Sequence, residues 1–158
     1  MFSLKKKNDQ RGFTIVELLI VIVVIGILAA LVVTTYGGIQ AKGRDSQRQS
    51  DLSALQTQIE AFYATNNYYP ALVDVNSETW RSTNMKSLDK AAIADPGDPS
   101  DYNLSGTAAS ESNQKVYGYV TKNAAGTVCT TLSTDCVSYE LTAWQETSKT
   151  VLTKIALD

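Results

Sequence analysis

The sequence predicts an α+β fold in which one long N-terminal helix packs against a small antiparallel sheet. Residues 13–33 form an apolar run that contains a single charged residue, Glu17. Further along, apolar side chains recur at spacings of three and four, as on one face of a helix: Leu52, Leu55, Ile59 and Phe62. The last third of the chain contains three segments with the residue types of β-strands. Such a sheet would have one apolar face, which the helical stripe would cover.

Charge is distributed unevenly along the 158 residues, whose net charge is −2. Residues 1–12 carry four basic residues and one acidic residue, so the remainder of the chain carries −5. A short basic segment ahead of an acidic body is typical of a targeting segment. No second basic cluster follows that could track a phosphate backbone, and we therefore predict no nucleic-acid partner.

The sequence contains no histidine. Catalysis by Ser-His or Cys-His pairs and metal binding through imidazole are therefore excluded within this chain. No other catalytic constellation is visible, and we predict neither an enzyme nor a cofactor.

The apolar run has the length of a membrane span. As a helix, 21 residues extend about 31 Å, which is close to the thickness of the hydrocarbon core. The basic residues before it should stay in the cytoplasm, and the rest of the chain should lie outside. A secretory signal peptide would be shorter and would end in a cleavage site of the A-x-A type. A plain anchor would have no use for Glu17, since a central charge costs roughly 2.5–3.5 kcal/mol.

A third interpretation rests on a family resemblance. The segment "KKKNDQRGFTIVELLIVIVVIGILAALVV" closely resembles the N-terminus of type IV prepilins and pseudopilins. In that family a membrane peptidase cuts after the glycine of the leader and methylates the new N-terminal residue. The resemblance therefore implies cleavage between Gly12 and Phe13 and N-methylation of Phe13. It also implies that Glu17 pairs with the N-terminal amine of a neighbouring subunit, because opposite buried charges are tolerated together.

The resemblance also implies the type IV pilin fold and a division of the chain into four parts. Residues 1–12 are the cleaved basic leader, and residues 13–36 are the transmembrane and filament-core helix. Residues 37–67 continue as an amphipathic helix, which should end near Asn66, and residues 68–158 form the antiparallel-sheet head.

Glycines follow the membrane segment closely. Many family members have a proline where this chain has Thr34, and here Gly37, Gly38 and Gly43 come next. Because each glycine costs roughly 1 kcal/mol inside a helix, residues 34–43 are predicted to be flexible or locally melted. The alternative is that the helix stays continuous because the proline is missing.

The head is predicted to begin with a loop-rich stretch, residues 70–114, that contains one short helix at "LDKAAIAD". Strands are predicted at "KVYGYVTK", "CVSYELTAWQ" and "TVLTKIALD". In the second strand the apolar, buried face should hold Val137, Tyr139, Leu141 and Ala143. In the third strand it should hold Val151, Thr153, Ile155 and Leu157.

Two groups of residues in the head could bond to each other or to a metal. Cys129 and Cys136 would face an oxidising space and are predicted to form a disulfide, with two free thiols as the alternative and too few ligands for a metal site. Asp95, Asp98 and Asp101 lie in "DPGDPSDY", which distantly resembles the Asp-Pro loop of the type II secretion major pseudopilin, some members of which bind calcium. Their spacing is not that of an EF-hand, and ordinary turn formation accounts for them as well.

The resemblance implies a structural subunit of an extracellular type IV pilus. Such a subunit waits in the lipid of the bacterial cytoplasmic membrane with its N-terminus inside, and a prepilin peptidase trims it. The pilus assembly machinery then adds it to a homo-oligomeric helical filament on the cell surface, which serves adhesion, twitching motility or DNA uptake. A pseudopilin of a type II secretion or competence system is the alternative. A single-span anchored binding protein is a third possibility.

Overall fold

The computed structural model describes residues 12–129 and 135–157. The chain divides into two compact units, one up to Gly38 and one from Ile39 onward. In chain order the elements are α1 (Ile15–Asn66), α2 (Leu72–Asn76), α3 (Glu78–Asn84), a 3-10 helix (Lys90–Ile93), β1 (Gly118–Asn123), β2 (Cys136–Gln145) and β3 (Thr150–Ile155). The predicted α+β fold, a long helix with a small antiparallel sheet, is confirmed.

Helix α1 is continuous through residues 34–43, where we predicted a flexible stretch. The helical turns on both sides supply the nucleus, so the glycines weaken propagation without interrupting it. The helix ends at Asn66, as predicted. Asn67 adopts a φ of 61°, a left-handed conformation that asparagine tolerates, and its N–H donates to the carbonyl oxygen of Tyr63 at 2.8 Å.

The hydrophobic core of the unit from Ile39 forms around the predicted stripe of α1. Leu52, Leu55 and Ile59 are completely buried. They belong to one cluster with side chains of the sheet and of the segment after α1, among them Tyr69, Val75, Met85, Tyr117, Tyr119, Tyr139, Leu141 and Ala143. The prediction that the stripe packs on the protein's own sheet is therefore confirmed.

The three strands form an antiparallel sheet in the order β1-β2-β3. On β2, Tyr139, Leu141 and Ala143 are buried, as predicted, whereas Val137 is 50% exposed. The register explains the difference. Lys122 pairs with Ser138 and Asn123 pairs with Cys136, so Val137 lies at an irregularity in the ladder.

The predicted buried face of β3 is wrong. Val151, Thr153, Ile155 and Leu157 are exposed, and Leu152 and Ala156 pack against the core instead. Leu152 pairs with Ala143 and Lys154 pairs with Leu141, which places the even-numbered residues of β3 on the core face. Both faces of this strand carry apolar residues, so alternation in the sequence does not distinguish them.

A loop covers part of the opposite face of the sheet. Thr142 is buried there, and its Oγ1 accepts a hydrogen bond from the backbone N–H of Ala109 at 2.8 Å. Gly118 lies opposite Thr142, and a Cβ atom at Gly118 would collide with Thr142 Oγ1 and with the carbonyl oxygen of Thr107. The absence of a side chain at Gly118 therefore lets this loop approach the sheet closely.

Side chains of α1 contact the edge strand β3 and the residues after it. The amide of Gln56 donates from Nε2 to the carbonyl oxygen of Ile155 at 2.9 Å. Glu60 Oε1 accepts hydrogen bonds from the N–H of Leu157 at 3.0 Å and from the hydroxyl of Tyr139 at 2.7 Å. These bonds tie the core helix to the outer strand of the sheet.

A buried cluster of charges joins α1 to two loops. The guanidinium of Arg48 lies 2.7 Å from Asp95, in the loop after the 3-10 helix, and 2.8 Å from Glu146, in the turn after β2. It also lies 3.0 Å from Asp45, one turn earlier on α1. Asp45 in turn accepts a hydrogen bond from the backbone N–H of Glu146 at 2.8 Å. The cluster fixes both loops against the helix.

Two short helices occupy the stretch that we predicted as loop. In α3 the hydroxyl of Ser77 accepts a hydrogen bond from the N–H of Trp80 at 3.3 Å, which caps the N-terminus. The predicted short helix at "LDKAAIAD" is present as the 3-10 helix, where Asp89 caps the N–H of Ala91 at 2.9 Å. Helices of five and seven residues are too short to show clear periodicity in the sequence. For this reason α2 and α3 were not predicted.

Candidate assembly site on the N-terminal helix

The first half of α1 presents an apolar surface on all sides. Its large hydrophobic side chains in residues 13–33 are exposed by 46% at Val21 to 83% at Ile15. The most apolar part of the helix is not buried by any described residue. By length and composition, α1 can cross a membrane.

The carboxylate of Glu17 lies at the start of this surface, in the first turn of α1. Its Oε2 accepts two hydrogen bonds from Thr14, one from the backbone N–H at 2.9 Å and one from the hydroxyl at 2.7 Å. The N–H of Glu17 donates to Thr14 Oγ1 at 3.2 Å. This is a reciprocal capping box. Our prediction missed Thr14 as a partner of Glu17, although the spacing in "TIVE" is the signal for such a box.

Gly12 and Phe13, the residues at the predicted cleavage bond, precede the helix in non-helical backbone. Both are exposed, and the described chain leaves open space where a Cβ atom of Gly12 would lie. Together with Glu17 they fall within six consecutive residues at one end of α1. The basic leader residues before Gly12 lie outside the described residues.

Cys129 and Cys136 form a disulfide bond, with their Cα atoms 6.2 Å apart and both residues buried. Asp135 lies next to this bond. In residues 12–129 and 135–157, one group of three acidic or cysteine residues has its possible metal-ligand atoms within 4.8 Å of one another, and it consists of Asp135 and the two cysteines. Because the two sulfurs are bonded to each other, they offer no thiolate to a metal.

The three aspartates of the Asp-Pro loop have separate hydrogen-bonding roles. Asp95 is buried and holds Arg48. Asp98 accepts bonds from the N–H and hydroxyl of Ser100, and Asp101 accepts bonds from the N–H and amide of Asn103. The last two are side-chain turns of the kind that aspartate commonly forms.

The N-terminal segment that contains Gly12, Phe13 and Glu17 also matches a known protein family. Residues 7–33 match the family described as "Prokaryotic N-terminal methylation motif". Over 67 residues the chain is 37% identical to the type II secretion system core protein G of Escherichia coli (strain K12), a match covering 42% of this chain and 46% of that protein. The core protein G of Dickeya chrysanthemi is 41% identical over 64 residues, or 40% of this chain and 42% of that protein.

A pilin also matches. The type IV major pilin protein PilA of Myxococcus xanthus (strain DK1622) is 39% identical over 60 residues, which are 38% of this chain and 27% of that protein. The chain thus matches less than half the length of each of these relatives. No solved structure gave a significant match.

The methylation motif implies processing by a prepilin peptidase and handling by an assembly machinery. The motif, the membrane-length helix and the sheet packed on its second half agree with the resemblance stated from the sequence. The chain therefore carries the N-terminal methylation motif of prepilins, and the comparisons support the superfamily of type IV pilins and type II secretion pseudopilins, whose members are structural subunits and not enzymes.

Proposed function

We propose that the chain is a structural subunit of a helical filament assembled from the membrane, and more specifically a pseudopilin of a type II secretion system. The observation that carries the proposal is the apolar surface of residues 13–33, which no described residue covers. A helix that is apolar all round is stable when lipid or other apolar helices surround it. Lipid would surround it before assembly, and the same helices of other copies would surround it in the filament.

Glu17 would set the register between copies. In the precursor its carboxylate accepts hydrogen bonds from Thr14. Cleavage after Gly12 would create a cationic amine at Phe13, the residue that is then methylated. Glu17 of a neighbouring copy can exchange its bonds to Thr14 for a bond to that amine, because opposite buried charges stabilise each other where either alone is unfavourable.

Within this proposal the parts of the chain have distinct roles. Residues 1–12 are the cleaved leader, and residues 13–36 anchor the precursor and later form the filament core. Residues 37–67 carry the head, residues 68–158, on the outside of the filament. The disulfide between Cys129 and Cys136 gives the head local rigidity.

The choice of the secretion role rests on the relatives. Proteins named type II secretion system core protein G from several bacteria, including Aeromonas hydrophila, match 40–42% of this chain. A subunit of a surface pilus, acting in adhesion, motility or DNA uptake, is the second candidate. The similarity to the major pilin of Myxococcus xanthus supports it.

The first test replaces Glu17 in the native host. Glu17→Ala is expected to be cleaved and to remain in the membrane with few or no filaments, since the amine of its neighbour loses its partner. Glu111→Ala removes an exposed carboxylate elsewhere and should assemble normally. Normal filament yield from Glu17→Ala would contradict the proposed pairing.

A second measurement separates the two candidates. Filaments are sheared from cells, and their main subunit is identified by mass spectrometry. Processed protein that begins at methylated Phe13 and stays in the envelope supports the pseudopilin. The same protein as the main subunit of long surface filaments would favour the pilin instead.

A further inference from the structure

Arg81, in the last turn of α3, is a buried residue without a carboxylate partner among the described residues. The residue is 7% exposed. In the part of the chain that the structure describes, its guanidinium donates one hydrogen bond, from Nη1 to the carbonyl oxygen of Val75 at 2.6 Å. An arginine has five N–H donors. No carboxylate oxygen of the described residues lies within 4.0 Å of it, and burial lowers its pKa, an effect that the charge of Glu78 partly offsets.

The other deeply buried arginine shows what such a group requires. Arg48 is 1% exposed, and three carboxylates lie within 3.0 Å of it, from Asp45, Asp95 and Glu146. A buried charge is unfavourable unless an opposite charge and hydrogen bonds compensate it. Arg48 receives this compensation from its own chain. Arg81 has no carboxylate partner among the described residues, and its other guanidinium nitrogens are not sealed from solvent, so a group from outside can reach them.

Arg81 lines an open cleft of about 300 Å³ that an external group can enter. Lys86 and Lys90 also line the cleft, and Glu78 is its single acidic residue. The Nζ atom of Lys90 lies 3.3 Å from Glu78 and 4.7 Å from the centre of the Tyr102 ring, so Glu78 is already paired. The lining therefore has an excess of two positive charges, on a chain whose net charge is −2.

We propose that this cleft is a binding site for an oxyanion, a carboxylate or phosphate group, with Arg81 at its base and Lys86 at its rim. The planar fork of a guanidinium matches two oxygens of such a group, and a lysine adds a second charge-assisted hydrogen bond. The oxyanion is either a free ion or an acidic side chain of a second copy. The site does not depend on the proposed filament role, because its geometry lies within one chain.

The test uses the full chain in a non-ionic detergent, with inorganic phosphate and acetate as probes at constant ionic strength. We expect a saturable shift of the Arg81 Nε–H resonance in ¹⁵N NMR spectra. Lys86→Gln removes an exposed charge and should weaken binding at least about tenfold, the equivalent of one charge-assisted hydrogen bond. Lys115→Gln, an exposed lysine outside this cleft, should leave the affinity unchanged.

A second arm identifies the source of the oxyanion. If a carboxylate of another copy fills the cleft, the Arg81 resonance should shift with protein concentration alone, and phosphate should reverse that shift. If a free ion fills it, only the added probe should move the resonance. No shift with phosphate, acetate or protein concentration would overturn the proposal, and so would equal affinity in Lys86→Gln and the unchanged protein.

Discussion

Arg48 and Asp95 form a bidentate ion pair in which both side chains are withdrawn from solvent. The Nε and Nη2 atoms of the guanidinium lie 2.7 and 2.8 Å from the two carboxylate oxygens, and the side chains are 1% and 0% exposed. The pair connects α1 to the Asp-Pro loop, 47 residues further along the chain. A single pair of side chains therefore holds this loop against a helix that is distant from it in the sequence.

Removal of one partner of this pair should be strongly destabilising. Arg48→Ala would leave the buried carboxylate of Asp95 unpaired, and we expect a loss of about 3–5 kcal/mol in unfolding free energy. Thermal unfolding of the full chain in detergent, followed by circular dichroism, measures the effect. Lys90→Gln breaks an exposed pair with Glu78 and should cost less than about 1 kcal/mol. Equal losses in the two variants would show that burial of the Arg48 pair is unimportant.

Low pH should lower the stability of the region around Arg48, because it protonates the carboxylate of Glu146. Hydrogen bonds from Arg44, and to a smaller extent from Arg48, lower the pKa of Glu146 from 4.5 to about 2. The unfolded chain binds the proton more tightly, so the stabilisation is fully present above pH 4.5 and is lost as the pH falls toward 2. The melting temperature should drop across this range in the unchanged protein. In Glu146→Gln the drop should be smaller, and an identical pH profile would rule out this carboxylate as a cause.

Gly118 should not tolerate a side chain. In Gly118→Ala the new Cβ would overlap Thr142 Oγ1 and the backbone of residues 107–108, so the covering loop must move, at a cost of about 1–3 kcal/mol. Gly43→Ala is the matched control, because a Cβ there meets nothing within 4 Å and alanine favours a helix by up to about 1 kcal/mol. The two substitutions should shift the melting temperature in opposite directions. A neutral Gly118→Ala would refute the close approach of the loop.

Loss of the disulfide should cost moderate stability. Replacement of Cys129 and Cys136 by serine opens a short loop, and the chain-entropy argument gives a loss of about 2–3 kcal/mol. In the unchanged protein a thiol reagent should label neither cysteine before reduction and both after it. Labelling of both without reduction would show that the bond is not formed in the cell.

Cleavage of the leader should require the small residue at its end, Gly12. Gly12→Val is expected to block cleavage, because the branched side chain hinders access of the peptidase to the bond before Phe13. Mass spectrometry of the membrane fraction should then find the uncut precursor. Gly43→Ala, far from this bond, should be processed normally. Mature protein that begins at Phe13 in Gly12→Val would show that the cut site is assigned incorrectly.

Local patterns in the sequence were sufficient to predict several of these features. The spacing of Leu52, Leu55 and Ile59 identified the buried face of α1, because helical periodicity is a local property. Strand β3 was different, since apolar residues occur on both of its faces and the register with β2 decides which face is buried. The partners of Arg48 were not predictable either. Asp95 and Glu146 reach it only after the chain has folded.

The bonds from Gln56 and Glu60 to the end of β3 bear on aggregation. A strand at the edge of a sheet exposes backbone groups on which a strand of another molecule can add. Here side chains of α1 already occupy the carbonyl oxygen of Ile155 and the N–H of Leu157. An intruding strand would have to displace them. We therefore expect copies at high local concentration to resist amyloid-like stacking at this end of β3.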